Sequence, residues 1–240
     1  MKTKRISKLE AAQEYLQRGC SVVPFQKKTE PSGKLSKTPC AWLLENGQLK
    51  IYKKRHPTDQ ELKRWFSSGN RMIAVITGEI SNGFQALDFE AKDNAGKPMP
   101  CVYDQWHSQL KQFNPNLADK LVVATIISGG RHVYYFNDKP EKLGWLAKGK
   151  DGSMLIETRS AGEVCCVPPA DGYQFITGNV DQIPRLTDEE VEDLISTSRK
   201  FNQIPSMVKA PSHSKPGDWY DQQDLWRDVA TNVGWRLDRT

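Results

Sequence analysis

Four ionisable residues stand inside runs that otherwise read as buried strands. They are Asp88 and Glu90 in Ala86-Leu87-Asp88-Phe89-Glu90, His132 within residues 128–136, and Glu157 in Leu155-Ile156-Glu157-Thr158. A charged side chain among apolar, β-branched and aromatic neighbours is costly, so any fold that accepts these segments must supply a metal, a ligand or an opposite charge to each. Strand alternation places Asp88 and Glu90 on one face and turns Leu87 and Phe89 to the other. Two carboxylates about 6–7 Å apart along a strand face suit a divalent cation bound through oxygen ligands. The plainer reading of a lone D-x-E is an edge strand whose polar face meets water.

The other two segments have the same double character. In Ser128-Gly129-Gly130-Arg131-His132 the glycines permit a tight hairpin, but small residues also let a phosphate approach backbone N–H groups, and Arg131 and His132 add donors beside them. Glu157 either pairs with Arg159, two residues along the same strand face, or points inward as a third acid.

The rest of the chain predicts alternating helices and strands. Helices are expected over residues 7–19, where Ser7 and Glu10 form a capping box and Gly19 ends the helix, over 58–66, over 102–113, and over 186–201, capped by Thr187 with Glu190. Strands are expected over 20–24, 72–77, 86–90, 121–127 and 133–136. A hairpin should join 154–158 to 164–167 around Ser160-Ala161-Gly162. Residues 26–39, rich in Lys, Ser, Gly and Pro, read as a mobile loop. Irregular interleaving with hairpins favours an α+β fold around a mainly antiparallel or mixed sheet flanked by helices.

A 240-residue chain that is 38% hydrophobic can bury a full core. Residues 205–217 read as a linker. The aromatics of 218–240 read as a C-terminal helical segment that packs on the core or begins a further module, leaving 1–204 as the principal domain. The net charge of +5 is uneven, with seven basic residues against two acids between Lys50 and Arg71. Such a surface attracts polyanions. Five cysteines without a CxxC pair suit a reduced, cytoplasmic chain. No run is long enough for a membrane span, and no partnership with a membrane is expected.

Taken in order, the segments AAQEYLQRGCSVVPF, KTPCAW, IAVITG, LDFE, SGGRHVYYF and IETRSAGEVCCVPP, with Tyr173 soon after, resemble the N-terminal primase-polymerase domain of bifunctional replication proteins, in the archaeo-eukaryotic primase superfamily. The resemblance runs from about Leu9 to Tyr173. It implies a primase-like catalytic core in which Asp88, Glu90 and Glu157 bind two catalytic metals, Mg²⁺ or Mn²⁺, and His132 contacts the triphosphate of the incoming nucleotide. Ser128, Gly129, Gly130 and Arg131 would line the same phosphate site, with Lys37 and Arg159 as additional phosphate or template contacts. Many relatives carry aspartate where Glu157 stands.

The implied activity is DNA primase and DNA polymerase, a nucleotidyl transfer that makes and extends primers in replication. The implied partners are single-stranded DNA template and primer, ribo- or deoxyribonucleoside triphosphates, and a helicase domain or subunit. This chain itself has no GxxxxGK[ST] sequence, so helicase activity is not expected of it. The cysteine spacings give no support for the zinc-binding insertion of other members. Two other classes remain open to the residues themselves. A metal-dependent nuclease could use the same acids, and a non-catalytic nucleic-acid-binding module would rely on the basic and aromatic residues alone.

Overall fold

The computed structural model describes residues 6–29, 35–140 and 143–204. The expected linker at 205–217 and the segment 218–240 lie outside the described residues.

Local sequence signals place the helices. Helix α1 (Lys8–Gln17) starts at a capping box in which the Ser7 hydroxyl accepts from the Glu10 amide at 3.2 Å and the Glu10 carboxylate accepts from the Ser7 amide at 2.7 Å. Reciprocal boxes also open α2 (Asp59–Phe66), through Thr58 and Glu61, and α5 (Asp188–Arg199), through Thr187 and Glu190. Each satisfies two amides that the first helical turn leaves without partners. Between them lie α3 (Tyr103–Phe113) and α4 (Pro115–Lys120). The short α4 was not anticipated; Asn114 caps it and Pro115 opens it.

The described strands form two antiparallel sheets. The first has the order β2 (Leu35–Pro39), β1 (Ser21–Thr29), β3 (Met72–Ile76), β9 (Val164–Cys166). The second has the order β10 (Gln174–Thr177), β5 (Val122–Thr125), β6 (Arg131–Phe136), β4 (Phe84–Phe89), β8 (Met154–Arg159), β7 (Trp145–Lys148). One apolar core is shared by α1, α2, the first sheet and the face of the second sheet that carries Phe84, Ala86, Tyr134 and Phe136. A separate core lies between the other face, with Leu87, Phe89, Val133 and Tyr135, and the helices α3, α4 and α5. Alternation along β4 and β6 therefore feeds two cores from the same strands.

Two expectations need correction. Much of the expected mobile loop at 26–39 is a hairpin, in which β1 continues to Thr29 and pairs with β2 from Phe25↔Pro39 to Thr29↔Leu35. Its lysines disguise it, because an edge strand tolerates and even favours charge. The expected hairpin between 154–158 and 164–167 does not form. Strand β8 pairs with β4 and β7, whereas β9 pairs with β3 in the first sheet. The turn between them, with positive φ at Ala161 (50°) and Gly162 (84°), carries the chain from one sheet to the other.

Candidate active site

Strand β4 lies between β6 and β8, and its register decides what surrounds Asp88. His132 of β6 stands directly opposite Asp88 on one side and Glu157 of β8 on the other. Glu90, just beyond the strand end, continues the ladder by donating its amide to the Leu155 carbonyl at 3.1 Å. Oxygens of Asp88, Glu90 and Glu157 consequently lie within 4.8 Å of one another. The three acids from two stretches of chain form one cluster on the face shared with the first sheet.

Asp88 is only 4% exposed, and two cations compensate it. Arg159 donates to Asp88 Oδ2 from Nε at 3.1 Å and from Nη2 at 3.0 Å, and also pairs with Glu157. His132 Nε2 lies 3.3 Å from Oδ1, close enough for charge attraction but not aligned as a hydrogen bond, so Oδ1 is a buried oxygen without an aligned donor. Burial pushes the Asp88 carboxyl up, but the imidazolium of His132 and the guanidinium of Arg159 outweigh it and hold the group well below the usual carboxylate range. For His132, burial opposes the charged form, while the Cys165 sulfur and the Asp88 carboxylate raise it above the usual imidazole range. The two stand as a buried ion pair.

The other acids differ. Glu90 is raised by burial first and by the Asp88 charge second. Burial raises Glu157, Arg159 pulls it down, and Asp88 and Glu90 push it up again, to about 7. Three carboxylates share one positive guanidinium and one imidazolium, which leaves the cluster short of cationic charge. That deficit, together with the Asp88 oxygen lacking an aligned donor, fits a site for a hard divalent cation with oxygen ligands.

Asp88 and Glu90 form the floor of an open cleft of about 390 Å³, within the size range of small-ligand sites. Lys27 and Lys37, directly opposite one another on β1 and β2, line it together with Lys92 and Ser128. Lys37 Nζ donates to the Tyr173 hydroxyl at 2.8 Å and lies 5.5 Å from that ring's centre, while the Tyr173 and His132 rings are 5.8 Å apart. Lys27 was missed because its segment reads as loop. Its signal was the lysine-to-lysine register across the hairpin, which becomes visible only once the two strands are paired.

The remaining expected contacts are placed unevenly. The Ser128 hydroxyl is buried without a hydrogen-bond partner. Gly129 has φ of 91°, but Gly130 answers to packing, because a Cβ there would stand 1.9 Å from the Phe89 carbonyl oxygen. Arg131 falls on the opposite strand face from His132 and turns back to donate to the Gly129 and Gly130 carbonyls at 2.9 Å each. It points away from the acids. His132 is 3% exposed, with Nδ1 lying 3.1 Å from the Tyr134 hydroxyl and 3.4 Å from Cys165 Sγ, so both ring nitrogens face protein groups.

The family model described as bifunctional DNA primase/polymerase, N-terminal, matches residues 12–189. No curated protein matches the chain. Among the described residues no helix is long and apolar enough to cross a membrane.

Proposed function

The chain belongs to the bifunctional DNA primase/polymerase N-terminal family, and from that premise we propose that it performs template-directed nucleotidyl transfer, making and extending primers on single-stranded DNA. The observation that carries this reading is the convergence of Asp88, Glu90 and Glu157 within 4.8 Å. A 3′-hydroxyl, from a primer or from a second bound nucleotide, attacks the α-phosphorus of a nucleoside triphosphate. One P–O bond forms, the bond to the bridging oxygen breaks, and pyrophosphate leaves. Mg²⁺ or Mn²⁺ held by the three carboxylates would lower the pKa of the hydroxyl and neutralise charge on the leaving group.

The protein's own groups prepare that site. Asp88 is kept ionised by His132 and Arg159, while Glu90 and Glu157 hold their protons more tightly and release them to an incoming cation. His132 acts as a positioning residue on Asp88. Lys27, Lys37 and Lys92 at the cleft wall attract the triphosphate, and Ser128 offers an unused hydroxyl to a phosphate oxygen. The partners on this reading are template, primer and nucleotides, with a helicase domain or subunit supplying strand opening.

A labelled primer annealed to a template, with Mg²⁺ or Mn²⁺ and nucleotides, tests the proposal. Extension by the wild type and none by Glu90→Gln supports it. Cutting of DNA without nucleotides would assign the acids to a nuclease, and DNA binding without any metal-dependent chemistry would leave a binding module.

A further inference from the structure

A second cleft, of about 540 Å³, is lined by none of the three clustered acids and lies beside the 3-10 turn Leu49–Lys53 and the turn that carries Ala161 and Gly162. Lys53 and Lys54 line one side of it. Both are exposed, and neither side chain has a hydrogen bond or an ion pair among the described residues. The next residue shows the contrast, since Arg55 is consumed by Glu45, Glu61 and the Tyr52 ring and cannot serve a ligand. Of three consecutive basic residues, one is structural and two are free.

The rest of the lining is Thr77, Glu79, Ile80, Pro140 and the small residues Ala161 and Gly162. Gly162 donates its amide to Thr77 at 2.8 Å, and a Cβ added to Gly162 would come 3.9 Å from the Lys53 ammonium. A Cβ on Gly78, behind the turn, would stand 2.9 Å from Ala161. The backbone at Gly162 thus comes close to the Lys53 ammonium, with no side chain of its own between them. Glu79 is the one acid lining the cleft, against two lysines.

Position gives the cleft its meaning. Ala161 follows Arg159 by two residues and Glu157 by four, so the chain leads from the acid cluster into this cleft over a contour of roughly 13 Å. Ala161 therefore lies no more than about 13 Å from Glu157, within reach of a strand whose reacting end lies at the acids. We propose that the Lys53–Lys54 cleft holds the phosphodiester backbone of the single-stranded nucleic acid on which the chain acts. The assignment rests on the proposed polymerising reading for its biological sense, but the binding itself can be measured without catalysis.

The test is fluorescence anisotropy of a labelled single-stranded oligothymidylate with the wild type and with K53A/K54A, without nucleotide or metal, over a series of salt concentrations. Each lost phosphate contact removes about 0.7 from the slope of log affinity against log salt for single strands. The double variant should therefore lose about 1.4 of slope and bind roughly tenfold or more weakly near 0.1 M salt. Both side chains are exposed, so the unfolding midpoint should stay put, and a K111A control should match the wild type. Unchanged slope and affinity in K53A/K54A, or an equal loss in K111A, would overturn the cleft assignment. If weakened binding is seen in a protein that never extends a primer, the cleft stands and the polymerising reading alone fails.

Discussion

Asp88 and Glu157 face each other directly across the antiparallel pairing of β4 and β8. His132 faces Asp88 from the other side, so one cross-strand row holds an acid with a lowered pKa between a cation and a second acid that is reluctant to ionise. The distinct states of these carboxylates make them separable by mutation and by pH.

Asp88 and Glu90 should fail in different ways. Asp88→Asn removes the partner of the buried His132 and the half-buried Arg159, costing about 2–3 kcal/mol of stability as well as activity. Glu90→Gln, whose side chain has no hydrogen bond among the described residues, should change stability by only about 0.5 kcal/mol. It should nonetheless lower primer extension roughly 10²-fold or more. Thermal unfolding beside an extension assay separates the two; equal activity of Glu90→Gln and wild type would remove Glu90 from the site.

The Glu157 carboxyl, held near 7 in the fold against an ordinary 4.5, imposes a pH dependence. Between those values the folded protein keeps a proton that the unfolded chain has lost. The stability contributed by this group is therefore greatest below 4.5 and declines as pH rises to about 7. Glu157→Gln should be more stable than wild type at pH 8, by about 1–2 kcal/mol, with the gap closing near pH 4. Calorimetric titration of the wild type with Mn²⁺ should show proton release that grows as pH falls below 7. A variant no more stable than wild type at pH 8 would contradict the burial argument.

On the proposed reading His132, 3.3 Å from Asp88, acts through that carboxylate. His132→Gln should lower kcat more than about tenfold while changing the nucleotide KM less than about threefold. A large rise in KM at unchanged kcat would return the imidazole to the triphosphate.

The two glycines of the turn before β6 have different jobs. Gly130→Ala would drive a Cβ into the Phe89 carbonyl and part β4 from β6, at a cost of about 3 kcal/mol. Gly129→Ala has room, with the nearest neighbour 3.9 Å away, and bears only its positive φ, about 1 kcal/mol. Denaturant unfolding of both variants checks the ranking.

What could be read from the sequence was whatever depends on near neighbours in the chain. Ser7 with Glu10, and Thr187 with Glu190, announce helix starts because a capping box closes within four residues. Asp88 with Glu90 announces a shared face because strand alternation repeats every second residue. The order of the segments pointed to the family. Strand partners, by contrast, were legible only in part: the hairpin through Gly129-Gly130 forms as its glycines suggest, but Val164–Cys166 looked like the mate of Met154–Arg159 yet belongs to the other sheet, and lysines hid Leu35–Pro39 and the second half of Ser21–Thr29. Local alternation says which way a side chain points but not which strand lies beside it, since pairing is settled by burial summed over both cores. Tertiary structure alone therefore decided that Glu157 stands across from Asp88, that Arg159 is spent on the acids, that Arg131 turns away, and that Lys27 reaches the cleft.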